Sequence, residues 1–134
     1  MPDIPIGTHH SSEVLVTDSN AISFLGRADA RVFATPWLIA HIEMTARDAV
    51  KPYLLDSEDT VGTQVNVSHV AATPIGMRAR FFAEVIAIKG RRVEFRVQAE
   101  DENEKIAEGT HERFIVDVDR FAERLKAKRL AGTS

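Results

Sequence analysis

Apolar residues between positions 35 and 54 recur with the period of an α-helix. At about 100° per residue, eight side chains of this stretch fall on one arc of a helix. They are Thr35, Leu38, Ile39, Ile42, Ala46, Ala49, Val50 and Tyr53. Thr35 suits the N-cap position, because its hydroxyl can accept a hydrogen bond from a free amide of the first turn, and Pro36 suits the first helical position. The pattern predicts one long helix from Thr35 to Leu54.

After residue 60 the apolar positions alternate with polar ones, which is the pattern of half-buried strands. Between Val61 and His69 the mainly apolar side chains fall on the odd positions, so His69 is expected on the apolar side of its strand. Gly and Pro residues or acidic turns separate the successive runs. The predicted strands are 13–17, 60–69, 77–89, 91–101 and 105–118, and a charged helix over 119–129 follows them.

Trp37 and Met44 are apolar residues on the side of the predicted helix opposite its apolar arc. A sheet that curves around the helix would cover both sides. One long helix followed by a series of long antiparallel strands predicts an α+β fold, with the sheet packed on the helix. A length of 134 residues fits a single domain with one core, residues 1–134.

Charge and composition narrow the class of ligand. The net charge of -3 at pH 7 gives no basic field that would attract nucleic acid. The chain has no cysteine, which excludes disulfides, cysteine nucleophiles and thiolate metal sites. No apolar run follows a basic segment near Met1, and no stretch reaches the ~20 apolar residues of a membrane span. These features favour a cytoplasmic protein with a small-molecule ligand, and with neither nucleic acid nor membrane as a partner.

The predicted C-terminal helix is rich in basic residues that could attract a phosphate-bearing ligand. Asp119 and Glu123 are interleaved with them, however, and no glycine-rich loop precedes them. A solvated helix face is therefore favoured.

Three polar side chains in and after the long helix are candidates for catalysis. A threonine hydroxyl is a poor nucleophile unless a base is adjacent, so Thr35 could act only if Glu43 or His69 reaches it. Glu43 lies at the edge of the apolar arc, about two turns beyond Thr35. The free amides and the positive dipole end at a helix start could also stabilise an oxyanion beside Thr35.

Each candidate also has a purely structural interpretation. Thr35 would cap the helix, Glu43 would pair with the arginine one turn later, and His69 would be a core histidine with satisfied nitrogens. Gly62 would mark a bulge or close packing, and Arg113 would form a cross-strand ion pair. Taken one at a time, these interpretations compete with the catalytic ones.

A set of segments in fixed order carries a resemblance to a known family. They are Val32-Phe33-Ala34-Thr35, then Glu43, Gly62-Thr63, the run from Ser68 to Gly76 and the run from Glu108 to Arg113. In residue type and spacing they resemble the fluoroacetyl-CoA thioesterase branch of the hotdog superfamily. The resemblance extends from about Val32 to the C-terminal helix, and it implies the hotdog fold, in which a curved antiparallel sheet wraps one long central helix.

The resemblance also implies roles for individual residues. Thr35, Glu43 and His69 would form the catalytic group, Gly62 would make a backbone contact at the thioester, and Arg113 would lie at the substrate passage. The implied reaction is hydrolysis of a short-chain acyl-CoA to the free acid and CoA, with no metal and no cofactor other than the CoA of the substrate. The implied assembly is a homodimer with its sites at the interface.

The stretch from Asp18 to Arg31 departs from the family pattern. It is shorter than the corresponding region, and Phe24 is its single aromatic residue, whereas the family carries the phenylalanines of a fluoroacetyl-specific lid there. The resemblance therefore supports acyl-CoA hydrolysis more strongly than a preference for the fluoroacetyl group.

Two mechanisms and two other functions stay open. Thr35 could attack the thioester carbon to form an acyl-enzyme, or Glu43 or His69 could activate water while Thr35 orients it. A hotdog dehydratase or hydratase would use the histidine and the carboxylate but would leave Thr35 without a role. A non-catalytic acyl-CoA binding module would hold the ligand without turnover.

Overall fold

The computed structural model describes residues 3–132, which contain five strands and two α-helices. The strands are β1 (His9–Leu15), β2 (Glu58–His69), β3 (Arg78–Lys89), β4 (Arg92–Glu100) and β5 (Lys105–Asp117), and the helices are α1 (Thr35–Val50) and α2 (Val118–Ala131). Short 3-10 turns cover Ala28–Ala30 and Lys51–Tyr53. Neither α1 nor α2, the helices within this described range, is long and apolar enough to cross a membrane.

The strands form one antiparallel sheet in the order β1-β3-β4-β5-β2. The helix α1 packs on one face of this sheet, which we call the inner face. The alternation of the strands directs apolar side chains to that face and mainly polar ones to the outer face. The strands β1 and β2 are the two edges, so one side of each has no strand beside it within residues 3–132.

The core lies between α1 and the inner face. Its largest fully buried side chains include Phe33, Leu38, Ile42, Phe81, Phe95, Ile106 and Ile115. Burying an aliphatic or aromatic side chain of this size contributes roughly 1.5–3 kcal/mol, so this layer is the main reason why α1 stays on the sheet.

The ends of α1 differ from the prediction. Ala34 is the N-cap residue and makes no side-chain cap, and Thr35 is already helical. The prediction that Thr35 caps the helix is therefore wrong, and its hydroxyl is used elsewhere. The helix ends at Val50 rather than Leu54, because Pro52 has no amide and its ring opposes an α-helical bond to the preceding turn.

Two further expectations are wrong. The first strand occupies His9–Leu15, not 13–17, because it is an edge strand with little apolar alternation and takes its hydrogen bonds from β3. The outer side of α1 is not covered within the described chain, since Trp37 is 49% exposed and Met44 is 51% exposed.

A bulge in β2 changes which side chains share a face. Strand pairing with β5 skips Thr63, whose hydroxyl lies within hydrogen-bonding distance of both the carbonyl and the carboxylate of Glu112. On an unbroken strand, residues seven positions apart face opposite sides. With one extra residue between them, Gly62 and His69 both lie on the inner face.

Candidate active site

Thr35 and His69 are in direct contact at the start of α1. The Thr35 hydroxyl lies 2.8 Å from Nδ1 of His69, the last residue of β2. The segment before α1 is held against the turn after β2, because the amide of Phe33 donates to the carbonyl of Thr73 at 2.8 Å. This backbone contact brings the hydroxyl and the imidazole together.

The environment of His69 favours its neutral form. Burial lowers the pKa of His69, and the backbone of Ala71 acts in the opposite direction. The Nε2 atom is buried and has no hydrogen-bond partner among residues 3–132. If Nδ1 accepts the Thr35 proton, Nε2 carries the ring hydrogen, and the backbone of Ala71 is the polar group of the described chain that acts on the ring. A better-placed acceptor could come from a second copy of the chain.

The first turn of α1 offers free amide hydrogens beside Thr35. The carbonyl of Ala34 accepts the first helical bond, from the amide of Leu38. Pro36 has no amide hydrogen, so Thr35 and Trp37 supply the free N–H groups of this turn. Together with the positive end of the helix dipole, these groups suit the oxyanion of a reacting thioester.

Glu43 lies in a second polar group, at Gly62 on β2. A Cβ atom at Gly62 would lie 3.0 Å from Oε1 of Glu43, 3.4 Å from Cε1 of His111 and 3.5 Å from Nη1 of Arg113. Gly62 itself is exposed. The missing side chain therefore leaves an opening at the sheet edge through which the Glu43 carboxylate can be reached.

Arg113 is a buried cation in this group, only 6% exposed. Its Nε donates to the hydroxyl of Thr60 at 2.6 Å, its Nη2 donates to the Thr60 carbonyl at 2.8 Å, and its Nη1 lies 3.2 Å from Nε2 of His111. Burial lowers the pKa of Arg113, and the charge of Glu43 raises it. We call Glu43, Thr60, Gly62, His111 and Arg113 the Glu43 cluster.

A single chain does not bring Glu43 to Thr35 and His69. Eight residues of α1 rise about 12 Å, and the strand between Gly62 and His69 spans roughly 20 Å. Within residues 3–132 the Glu43 carboxylate forms no hydrogen bond or ion pair of its own. The predicted group of three is thus divided into a Thr35–His69 pair and the Glu43 cluster.

Two of the structural interpretations are wrong. The guanidinium of Arg47 donates to Asp59 and Asp48 rather than to Glu43, so the expected i,i+4 pair does not form. Arg113 is bound by a hydroxyl, a carbonyl and an imidazole instead of by a cross-strand carboxylate.

The interpretations of His69 and Gly62 have different outcomes. His69 does not match a fully satisfied core histidine, because its Nε2 forms no hydrogen bond of ordinary distance and angle in the described chain. Gly62 does adjoin a bulge and does pack closely, as the structural interpretation predicts, and it also opens the sheet edge at Glu43.

Thr60 and His111, which fix the guanidinium of Arg113, are not among the site residues predicted from the sequence. A signal for them exists. His111 and Arg113 alternate in phase with buried Ile115, so two polar side chains occupy inward positions of a strand. Polar residues on a buried face need partners, which predicts a local polar network.

Other parts of the surface do not add to the site. Among residues 3–132 no group of three or more His, Asp or Glu side chains is arranged to hold a metal ion. A cavity of about 660 Å³ adjoins α2 and is lined by Arg91, Phe114, Asp119, Arg120, Glu123 and Arg124. No residue of α2 is buried in the range described, which confirms the predicted solvated helix.

Comparison with known proteins identifies relatives of the chain. A family model described as fluoroacetyl-CoA-specific thioesterase matches residues 16–119. The fluoroacetyl-CoA thioesterase of Streptantibioticus cattleyicolor is 38% identical to the chain over 101 residues, which are 75% of this chain and 73% of that protein.

Solved structures share the architecture. The fluoroacetyl-CoA thioesterase FlK has a TM-score of 0.83 and 30% sequence identity, with 92% of this chain and 96% of that chain covered. A hot-dog-like protein from Thermanaerovibrio acidaminovorans has a TM-score of 0.84 at 22% identity, with 93% of each chain covered. These likenesses confirm the predicted α+β hotdog fold.

Proposed function

We propose that this chain, which belongs to the fluoroacetyl-CoA-specific thioesterase family, hydrolyses a short-chain acyl-CoA to the free acid and CoA. The family supports the class of reaction, thioester hydrolysis. The observation that carries the proposed site is the 2.8 Å contact between the Thr35 hydroxyl and Nδ1 of His69. A dehydratase or hydratase would have no use for a hydroxyl in that position.

In the proposed reaction, Nδ1 of His69 accepts the hydroxyl proton of Thr35 while the oxygen attacks the thioester carbon. The free amides of Thr35 and Trp37 stabilise the oxyanion. The C–S bond then breaks while His69 returns its proton to the sulfur, so that CoA leaves as the thiol. Water hydrolyses the acyl-enzyme to the free acid. Neither a metal nor a cofactor is required, since CoA enters with the substrate.

The second mechanism omits the acyl-enzyme. His69 takes a proton from water, and Thr35 orients that water toward the thioester. Intact-mass analysis during turnover distinguishes the two routes. An acyl adduct on Thr35 supports covalent catalysis, and turnover without any adduct supports the water route.

The Glu43 cluster joins this site if two copies of the chain pair along β2. This strand is an edge of the sheet, so a row of its backbone groups has no strand beside it in the described chain. Residues 62–66 are exposed. Both features support the homodimer predicted from the resemblance, with β2 as the interface.

The bulge determines the pairing register that such a dimer needs. Because Thr63 is an extra residue, Gly62 and His69 lie three pair positions on either side of Asn66. Antiparallel pairing of two β2 strands about a two-fold axis at Asn66 places Gly62 of one subunit opposite His69 of the partner subunit, on the same face of the joined sheet.

This pairing would satisfy two groups that lack partners in the single chain. The Glu43 carboxylate beside Gly62 would accept the hydrogen on Nε2 of the partner subunit's His69. That bond fixes the tautomer in which Nδ1 can accept the Thr35 proton, and it stabilises the imidazolium that forms. Each site would then combine Thr35 and His69 of one subunit with the Glu43 cluster of the other.

Mixed dimers test the shared site. Thr35→Ala and Glu43→Gln variants are each expected to be inactive alone. In a random mixture half of the dimers are mixed, and each mixed dimer has one intact site, so about one quarter of the native rate of thiol release should return. No recovery on mixing would rule out a site shared in this way.

A matched control uses Thr35→Ala mixed with His69→Ala. Both residues belong to the same half of the proposed site, so no mixed dimer contains an intact site and no activity should return. Recovery in this control would show that Thr35 and His69 act from different subunits.

A panel of acyl-CoA substrates tests the reaction itself. Thiol release from acetyl-, propionyl- and fluoroacetyl-CoA supports hydrolysis and ranks the acyl groups. An enoyl-CoA is tested separately, and loss of its absorbance without thiol release would instead support a hydratase. Tight binding of the acyl-CoAs without either change would support a binding module. The cytoplasmic location stays a prediction.

A further inference from the structure

His111 is a buried histidine that takes no part in the proposed reaction. It is 2% exposed and stacks on Phe95 with ring centroids 6.0 Å apart. Its Nδ1 lies 2.8 Å from the carbonyl of Gln64, and its Nε2 lies 3.2 Å from Nη1 of Arg113. Each ring nitrogen thus faces a group that can only accept or can only donate a hydrogen bond.

These contacts determine the protonation of the ring. A carbonyl can only accept a hydrogen bond, so Nδ1 of His111 donates to Gln64. A guanidinium can only donate, so Nε2 of His111 carries a lone pair and accepts from Arg113. The imidazole is neutral, with its hydrogen on Nδ1. A second proton on Nε2 would point an N–H group at the N–H group of Arg113.

The charged groups around His111 come from two elements. Burial is the largest effect and lowers the pKa of His111, and the charge of Arg113 on β5 lowers it further. The hydrogen bond to the Gln64 carbonyl and the charges of Glu43 on α1 and Glu112 on β5 act in the opposite direction, and the net shift of the pKa is downward. The neutral form therefore agrees with the hydrogen-bond geometry.

We propose that His111 is a positioning residue of the thioesterase site, which holds Arg113 beside the Gly62 opening by accepting a hydrogen bond at Nε2. The inference rests on the proposed function. Nη1 of Arg113 carries two hydrogens, and His111 takes one of them. The other remains at the opening, beside the Glu43 carboxylate.

The hydrogen bond to His111 keeps Arg113 from pairing directly with Glu43. Without the acceptor at His111, the nearest anion available to Nη1 of Arg113 is Glu43. A direct Arg113–Glu43 pair would draw the carboxylate into the sheet and away from the opening. The neutral imidazole therefore keeps the cation close enough to act on the site while it leaves Glu43 free.

A purely structural role is the competing explanation. Gln64 follows the bulge residue Thr63, so the bond from Nδ1 of His111 could serve only to hold the bulge. The two roles use different ring nitrogens. Two substitutions separate them, because an asparagine amide can replace the donor at Nδ1 and a glutamine carbonyl can replace the acceptor at Nε2.

The experiment compares His111→Gln with His111→Asn. If the acceptor matters, His111→Gln should keep kcat within about threefold of the native value, while His111→Asn should lower kcat about tenfold or more at little change in KM. Thermal unfolding of both variants measures the cost to the fold separately. The opposite order, or equal loss in both variants, would overturn the proposal.

Nitrogen NMR of the native protein provides a readout that does not depend on either variant folding. The long-range ¹H–¹⁵N spectrum should show His111 as the neutral tautomer with its hydrogen on Nδ1. A hydrogen on Nε2, or a cationic ring at neutral pH, would contradict the proposal. If the native protein releases no thiol from any acyl-CoA, the proposed function fails, and this spectrum still reports whether His111 accepts from Arg113.

Discussion

The hydroxyl of Thr35 lies 2.8 Å from Nδ1 of His69, although 34 positions separate the two residues in the sequence. If this pair performs the chemistry, Thr35→Ala and His69→Ala should each lower thiol release about 100-fold or more, because a positioned base contributes roughly that much. Both variants should stay folded, since neither side chain is part of the buried apolar core.

Circular dichroism and thermal unfolding check the fold of these two variants. Thr110→Ala is the matched control, because Thr110 is an exposed threonine on β5. Its rate should equal that of the native protein. Unchanged rates in the Thr35 and His69 variants would remove both residues from the mechanism.

The pH profile of kcat/KM should report His69. The base must be neutral to accept a proton, so activity falls when His69 becomes protonated at low pH. Burial lowers the pKa of His69, whereas a hydrogen bond from Nε2 to the partner subunit's Glu43 in the proposed dimer would raise it. NMR titration of His69 should therefore give a lower midpoint in Glu43→Gln than in the native protein, and the same midpoint in both would contradict the shared bond.

Gly62→Ala should reduce activity more than stability. The added Cβ would lie 3.0 Å from Oε1 of Glu43 and 3.4 Å from Cε1 of His111, so the carboxylate must move. The φ angle of Gly62 is not positive, so backbone strain does not contribute. We expect kcat to fall on the order of tenfold or more through misplacement of the acid.

Steady-state kinetics and thermal unfolding of Gly62→Ala separate these effects. Ser68→Ala, an exposed position of the same strand, is the control and should change neither measurement. Native kinetics in Gly62→Ala would mean that the position of Glu43 does not matter for catalysis.

The Arg47–Asp59 ion pair should make stability depend on pH. The hydrogen bond from Arg47 lowers the pKa of Asp59 from 3.8 to about 2, although burial acts in the opposite direction. A lowered pKa contributes stability that is present above pH 3.8 and is lost as pH falls toward 2. Both side chains are 29% exposed, so screening by water reduces the contribution to about 1–2 kcal/mol.

Urea unfolding of Asp59→Asn tests this prediction. The variant should be less stable than the native protein at pH 7, and the difference should shrink below pH 4 and nearly vanish near pH 2. Asp29→Asn is the control, because Asp29 pairs with Arg27 at the surface, where both side chains are at least 70% exposed. A difference that stays constant with pH would contradict the assignment.

Local patterns predict the inner strands well and the edge strand poorly. The alternation of Val93, Phe95 and Val97 with polar residues predicts β4 to within one residue at each end. The start of β1 at His9 is missed, because an edge strand buries few side chains and carries little periodic signal. Strand existence can be read from the sequence only where burial is periodic.

The sequence predicts individual residues of the site, but it does not predict how they come together in space. Thr35 and His69 meet because the backbone of Phe33 binds the turn after β2, and a contact between such distant segments leaves no local pattern. The bulge at Thr63 is likewise invisible to a period of two. In our proposal, a second copy of the chain supplies the hydrogen-bond partner of Glu43. The position of that second copy cannot be derived from the sequence of one chain.

The extra residue at Thr63 determines which side chains of β2 reach the site. If Thr63 were paired regularly with β5 instead of bulging, the alternation would be uninterrupted, yet either the glycine or the histidine would turn toward solvent, because the two residues are seven positions apart. Every reactive group would still be present, and none would be aligned. Among related chains, an odd spacing between this glycine and this histidine would therefore require a bulge, whereas an even spacing would align them on a regular strand.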